Sequence, residues 1–240
     1  MKVAIVGAQE LTRDNAPWDD ETFDIWLMNE WPMMNWCKRW TASIDVHWPT
    51  IFKNRKFDRN TDKKEKMDYY EWLKKPHGKP IYMQEAFPEI PDAVKYPLKE
   101  INSTLLSNIQ YENEPIINFR TSVSYITALA IYLGYEQIDY YGIELQGVEY
   151  KGQMSNFNFW TGVAVGKGIK VNLHCSRGSF VAPLYGYQAF IKDSKTDQYY
   201  NAMLEQLEEK KREYNMLEGA FQLVKQMLED QMKEDVDEPE

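Results

Sequence analysis

The sequence predicts an α/β protein, with a Rossmann-like, mostly parallel sheet flanked by helices and a long amphipathic helix at the C-terminus. Three observations predict it. Several short apolar runs end in glycine or a polar residue, a helix–glycine–strand unit lies mid-chain, and a heptad-like pattern fills the last forty residues. Unbroken apolar runs are typical of parallel strands that are covered on both faces by helices.

The first half of the chain holds four predicted strands. Residues 3–6 read VAIV and end at Gly7, and a polar turn follows that can open a helix. Two further runs and a shorter segment have the same character, over residues 23–28, 42–46 and 80–84. Between them, the charged stretch 54–71 is expected to be helical or irregular surface. The proline-rich stretch 88–97 is predicted to be a loop, because proline interrupts helices and sheets.

A compact unit begins at residue 116. Residues 116–117 are predicted to be a short strand, and the helix after it covers residues 123–133, with Thr121 or Ser122 as the cap of its first turn. Gly134 closes this helix. The pattern continues with a strand, a helix and a last strand, over residues 137–141, 155–165 and 169–173.

The end of the chain has a different periodicity. Apolar residues recur at alternating steps of three and four, apart from a skipped step near Lys210: Tyr200, Met203, Leu207, Tyr214, Leu217, Phe221, Val224 and Leu228. Such a seam predicts a helix of about 35 residues with coiled-coil spacing, roughly 50 Å long. Either it pairs with a copy of itself, or it packs partly against the sheet. The expected organisation is therefore a domain over 1–193, a helix over 194–235 and an acidic tail over 236–240.

Composition limits the classes of partner. A formal net charge of −9 argues against duplex nucleic acid, which requires a basic surface. The two cysteines, Cys37 and Cys175, and the three separated histidines predict neither a disulfide framework nor a metal site. Because no apolar run approaches the roughly 20 residues of a membrane span, and the N-terminus is strand-like, we expect a cytoplasmic protein with no membrane partner.

The expected site lies at the carboxyl ends of the strands, because open α/β sheets bind ligands there, near the switch in strand order. Nine residues are candidates for binding a nucleotide, namely Gly7, Gln9, Thr12, Arg13, Asn29, Arg120, Thr121, Ser122 and Gly142. The same rule brings Asp45 and residues 174–177 to this edge. The catalytic candidates are His47 and Glu144, which also follow strands.

Each candidate has a structural alternative. The single Gly7 does not complete a G-x-G-x-x-G or Walker pattern. Thr121 and Ser122 either cap the helix only, or also bind an anion through its free N–H groups. His47 serves either as a base or as a structural hydrogen-bonding group. The sequence identifies no cofactor.

Residues 121–144 resemble a motif shared by bacterial family 42 sialyltransferases and by archaeal hydroxymethylpterin pyrophosphokinase-like proteins. The VAIVG start and the second strand ending in Asn29 extend this resemblance. The chain departs from the sialyltransferases at two places, since residues 7–9 read GAQ where they have glycine-asparagine-glycine, and residues 150–158 lack their histidine. The resemblance therefore implies a nucleotide or nucleotide-sugar ligand and not sialic acid transfer.

The chain also resembles an uncharacterised group of bacteriophage Rossmann-like proteins. The resemblance is carried by the strand end at His47 and by four segments, residues 12–20, 125–144, 166–171 and 184–187. It implies a viral protein of the host cytoplasm.

Two functions of different class follow. The first is a transferase with a nucleotide-linked donor, either glycosyltransferase-like or transferring a nucleotidyl or phosphoryl group. The second is a non-catalytic accessory or assembly protein that forms a homo-oligomer through residues 196–232.

Overall fold

The computed structural model describes residues 1–57, 67–145, 151–174 and 195–234. The chain forms two compact units, Met1–Val181 and Ala182–Glu240. Several predicted segments lie outside the described residues. They are the acidic tail, residues 58–66 of the charged stretch 54–71, residues 175–177 of the expected site and residues 184–187 of the bacteriophage-like motifs.

Eleven strands are described. In chain order they are β1 (Lys2–Val6), β2 (Phe23–Met28), β3 (Ala42–Asp45), β4 (Lys56–Phe57), β5 (Met67–Asp68), β6 (Ile81–Met83), β7 (Ala93–Lys95), β8 (Gln110–Tyr111), β9 (Glu114–Pro115), β10 (Gln137–Tyr141) and β11 (Lys170–His174). Seven of them form one sheet in the order β11-β10-β1-β2-β3-β6-β7. Every neighbouring pair in that sheet is parallel, which confirms the Rossmann-like prediction.

The helices connect these strands. They are α1 (Glu10–Arg13), α2 (Pro49–Phe52), α3 (Tyr69–Leu73), α4 (Leu98–Leu105), α5 (Ser122–Tyr132), α6 (Lys151–Gly166) and α7 (Lys195–Glu234), with a 3-10 turn at Trp31–Met33. As predicted, α5 starts at the side chain of Thr121, which accepts a hydrogen bond from the backbone N–H of Val123 at 3.0 Å. Gly134 follows α5 with a φ of +79°, a conformation that glycine adopts without strain.

Apolar side chains of the sheet alternate between two cores. On β1, Val3 and Ile5 pack in a first core together with α5 and α6, whereas Ala4 and Val6 pack in a second core with Phe52 and residues of α3. Because both faces of β1 are covered, its residues 3–6 are fully buried. Burial on both faces explains the unbroken apolar runs in the sequence.

Two predictions of local structure were wrong. Residues 116–117 form no strand and lie in the irregular segment between the β8–β9 hairpin and α5. The proline-rich stretch 88–97 is not wholly loop, since β7 pairs with β6 at the edge of the sheet. An edge strand tolerates nearby proline because one of its sides has no ladder to complete.

The C-terminal helix α7 spans 40 residues, which corresponds to about 60 Å. Its described apolar side chains are exposed, from 40% at Leu204 to 71% at Leu217. No helix among the described residues is long and apolar enough to cross a membrane.

Candidate functional site

The sheet changes its direction of winding beside β1. The chain runs outward from β1 through β2, β3 and β6 to β7, and β10 then returns to pair with the opposite side of β1. The carboxyl ends of β1 and β10 therefore form the switch point at which open α/β sheets bind ligands. Gly7 follows β1 there, and Gly142 follows β10.

The turns after β1 and β10 are packed against each other. A Cβ on Gly7 would lie 2.8 Å from the carbonyl carbon of Gly142, and one on Gly142 would lie 2.7 Å from the carbonyl oxygen of Gly7. The backbone N–H of Gln9 donates to the carbonyl of Gly142 at 3.0 Å, and that of Gly142 donates to Thr12 Oγ1 at 2.8 Å. Gly7, Thr12 and Gly142 thus build the floor of the site through contacts with one another.

A cavity of about 360 Å³ opens above this floor. Six predicted site residues line it, namely Gln9, Asn29, Thr121, Ser122, Gly142 and Glu144. The lining also includes residues that the sequence did not predict. Trp31 and Gln153 add an aromatic face and an amide, and Met28, Val123 and Leu145 add apolar surface. The volume lies within the roughly 300–1,000 Å³ that small-molecule sites occupy.

Two amide oxygens at this cavity are buried without a partner. Neither Gln9 Oε1 nor Asn29 Oδ1 is bonded by any group among the described residues. Leaving such an acceptor unsatisfied costs about 1–3 kcal/mol. Asn29 also has a φ of +54°, a left-handed conformation held by its backbone N–H bond to the carbonyl of Ile44 at 2.8 Å. Both oxygens can accept hydrogen bonds from hydroxyl or amino groups.

The N-terminus of α5 forms one wall. Asn156 on α6 is 2% exposed, and its side-chain oxygen accepts from the backbone N–H of Arg120 at 2.9 Å and from Ser124 Oγ. Its side-chain nitrogen donates to the carbonyl of Asn118 at 2.9 Å. This clamp holds the first turn of α5, whose dipole is positive at Ser122 and favours an anion there.

The two arginines among the predicted binding residues, Arg13 and Arg120, do not line the cavity. Arg13 is 7% exposed, donates to the carbonyl of Ala8 at 3.0 Å and lies 4.7 Å from the ring of Trp36. Arg120 is exposed and is not among the residues that line the cavity. Their predicted phosphate contacts stay predictions.

His47 belongs to a separate charged cluster at the end of β3. Its Nδ1 lies 2.7 Å from Oδ1 of Asp45, which is fully buried. Arg55 lies 2.8 Å from Glu30 and 3.9 Å from Asp45. Burial, and then the charge of Asp45, raise the pKa of the neighbouring Tyr69. None of these residues lines the cavity.

The other strand-end histidine, His174, stacks on Tyr141 at 4.2 Å and lies 3.6 Å from Asp139. Both contacts are made within the β10–β11 pair. Among the described residues, no three histidine, cysteine or carboxylate side chains come together as a metal site.

Fold and site together define a Rossmann-like α/β protein with a cavity of mixed polar and apolar lining at the switch point of its sheet. No protein-family model matches the chain, and no curated protein matches its sequence.

Similar solved structures include the sialyltransferase CstII from Campylobacter jejuni. Its complex with cytidine-5'-monophosphate is 20% identical, covering 73% of this chain and 80% of that chain, with a TM-score of 0.44. The complex with CMP-3FNeuAc is 17% identical, and the complex with trisaccharide acceptor and CMP is 19% identical; each covers 74% and 82% of the two chains with a TM-score of 0.42. The likeness is distant, and the fold rests on the strand order and register given above.

Proposed function

We propose that the switch-point cavity binds a nucleotide or a nucleotide-linked sugar, and that the protein is a glycosyltransferase-like enzyme. The observation that carries this proposal is the pair of buried, unpartnered oxygens, Gln9 Oε1 and Asn29 Oδ1, beside the N-terminus of a helix. A nucleotide has hydrogen-bond donors for the two unpartnered oxygens and a negative charge for the N-terminus of α5. Its hydroxyl or amino groups donate to the two amides, and its phosphate takes the position in front of α5.

The lining supports a ligand with one flat and one charged part. Trp31 contributes an aromatic face on which a base can stack. Ser122, at the first residue of α5, offers a hydroxyl and a position at the positive end of the helix dipole. The protein has a net negative charge, but the local dipole at the start of α5 can still attract an anion.

Glu144 is the proposed base, because it is the catalytic candidate that lines the cavity. Its carboxylate would take the proton of an acceptor hydroxyl, whose oxygen then bonds to the sugar carbon of the donor. The bond from that carbon to the phosphate oxygen breaks, and the nucleotide leaves with the electron pair. General-base assistance contributes roughly 10²–10⁴-fold to the rate. His47 acts as the base instead if an acceptor reaches the β3 cluster.

A thermal-unfolding panel of nucleoside mono- and diphosphates and nucleotide-sugars tests the binding. A ligand at 100 times its dissociation constant adds about 2.7 kcal/mol, a shift of roughly 5–11 °C for this size of protein. Gln9→Leu removes one amide at similar size, and Asn29→Gly removes the other while keeping the backbone conformation. Both should reduce the shift, whereas Gln110→Leu, at an exposed glutamine of β8, should not. A flat panel with the unchanged protein contradicts the proposal.

We propose a second role for α7, in which two copies of the chain associate through residues 196–232. The exposed seam favours it, since Leu207, Tyr214, Leu217, Phe221 and Val224 are each more than half exposed. From Tyr214 to Val224 the steps alternate between three and four, and Leu207 lies one heptad before Tyr214, as in a coiled coil. If no nucleotide binds, the proposed function is that of a non-catalytic accessory or assembly protein that associates through α7.

A further inference from the structure

A second cavity of about 250 Å³ lies at the same edge of the sheet. Its lining consists of Val46, Trp48, Gln84, Tyr96, Leu98 and Tyr125. These residues follow β3, β6 and β7 or lie in the first turn of α5. Half of these lining residues are aromatic, whereas Trp31 is the one aromatic residue among the described residues that line the first cavity.

The two cavities are neighbours. Val123 lines the first and Tyr125 lines the second, two positions along the same turn of α5. Met28, in the first, ends β2, and β2 pairs with β3 through Met28 and Ile44, two residues before Val46. Since paired strands lie about 4.8 Å apart, the two cavities open at neighbouring strand ends.

Trp48 forms an exposed aromatic platform at the second cavity. Its side chain is 67% exposed, an unusual position for a tryptophan. Its backbone is fixed nonetheless, because its carbonyl accepts from the N–H groups of Ile51 and Phe52 at 2.8 and 3.3 Å. Pro49 follows it at the start of α2 and restricts the chain further. A rigid backbone with an exposed ring favours recognition of a flat ligand surface.

The rest of the cavity is rigid and uncharged. Tyr96 Oη donates to the carbonyl of Tyr125 at 2.9 Å, and the two rings meet edge to face at 5.2 Å. Gln84 Nε2 donates to the carbonyl of Val46 at 2.8 Å. Burial raises the pKa of both tyrosines, so they stay neutral. The lining holds no charged side chain, which favours a neutral ligand over an ion.

We propose that this cavity binds the ring of an uncharged sugar, stacked on Trp48. A pyranose has an apolar face of C–H groups and a rim of hydroxyls, which match an aromatic wall that carries tyrosine hydroxyls and one amide. The volume is below that of drug-sized sites and suits a single ring. Its role as the acceptor in group transfer rests on the proposed function, but the binding of a sugar does not.

Saturation-transfer NMR on the full chain tests the proposal, with the methyl β-glycosides of glucose, galactose and N-acetylglucosamine as probes. At least one should receive saturation from the protein. Trp48→Ala should weaken its binding about tenfold, whereas Trp48→Phe should retain most of it. Tyr111→Ala removes an equally exposed aromatic side chain on β8 and should change nothing.

Two results would overturn the sugar site: no transfer to any glycoside, whether or not phenol binds through Trp48, or equal binding of a glycoside by Trp48→Ala. Thermal shifts with nucleotides, measured on the same variants, keep the two proposals apart. A glycoside that binds through Trp48 with a flat nucleotide panel supports the sugar site and removes its acceptor role. Trp48→Ala should leave any nucleotide shift unchanged, because Trp48 does not line the first cavity.

Discussion

Gly7 and Gly142, from opposite halves of the chain, approach so closely that each occupies the space of the other's missing side chain. A Cβ on Gly142 would lie 2.7 Å from the carbonyl oxygen of Gly7 and 2.9 Å from Cβ of Arg13. Gly142 also has a φ of +61°, in the left-handed region. The two glycines are required by the contact between two turns, and a phosphate is not needed to explain either.

Alanine at either glycine should therefore destabilise the domain. Gly7→Ala should cost roughly 1–3 kcal/mol through overpacking, and Gly142→Ala about 1–2 kcal/mol more through its positive φ. Urea denaturation followed by circular dichroism measures both. The control is Gly162→Ala within α6, where nothing surrounds the new methyl group and helix propensity improves by about 1 kcal/mol. Equal midpoints for Gly7→Ala and Gly162→Ala would refute the packing argument.

The charged cluster at β3 should depend strongly on Arg55. Arg55→Met leaves Glu30 and the fully buried Asp45 without their cation. We expect a loss of about 2–3 kcal/mol, somewhat less than for a fully enclosed pair, because Arg55 retains some contact with solvent. Lys53→Met breaks the exposed pair with Glu89, which solvent screens, and should change the stability little. Chemical denaturation gives the free energy of unfolding of both variants. Similar small losses of stability in the two would mean that solvent screens the charged cluster.

Stability should fall in alkaline solution. Burial raises the pKa of Tyr69, Tyr96, Tyr135 and Tyr140 above the ordinary value of 10.0. Above pH 10 the unfolded chain loses these protons while the folded chain keeps them, so the free energy of unfolding decreases as pH rises. Below pH 10 both states are protonated and this contribution is constant.

Above pH 10, each of the four tyrosines lowers the free energy of unfolding by about 1.4 kcal/mol per pH unit, as long as it keeps its proton in the folded chain. Tyrosinate absorbance near 295 nm should then rise together with the loss of circular dichroism. Gradual ionisation of these tyrosines in a chain that remains folded would contradict the expectation.

Association through α7 should depend on its seam. Leu217→Glu places a charge on the seam and should convert the oligomer into a monomer, as should deletion of residues 196–240. Met216→Glu, at an exposed apolar residue beside the seam, should leave the oligomer intact. Light scattering after size exclusion gives the mass. A full-length protein that is already monomeric at high concentration removes the second role.

The elements that the sequence predicted well are those decided by local pattern. β2 agrees with its predicted bounds, because its six residues are buried or nearly so and carry no break. The bounds of α5 followed from Thr121 and Gly134, which cap its two ends chemically. The edge of the sheet at which the cavity lies also followed, since parallel strands place their carboxyl ends together.

Contacts between distant segments were beyond prediction. Arg55 stands in a charged stretch that reads as surface, and only the fold brings it to Glu30. Thr12 and Arg13 read as phosphate ligands, but their polar atoms are bonded within the protein, to Gly142 and Ala8. The unpartnered oxygens of Gln9 and Asn29 could not be predicted, because the cavity that they line is completed by residues 121–123 and 142–145, which come much later in the chain. The strand predicted at residues 116–117 was wrong because two isoleucines form a strand only where a neighbouring strand can pair with them.

The pairing of β1 with β10 also means that the cavity can form only after β10 has been synthesised. The bond between Gly142 and Thr12 joins residues 130 positions apart. A ribosome adds about 5–20 residues per second, so β10, the second neighbour of β1, is synthesised roughly 7–26 s after β1. During that interval one edge of a strand with four consecutive apolar residues has no partner, and such edges recruit other chains. Long-range closure of this kind slows folding, and we expect yield to improve at lower temperature or with a chaperone present.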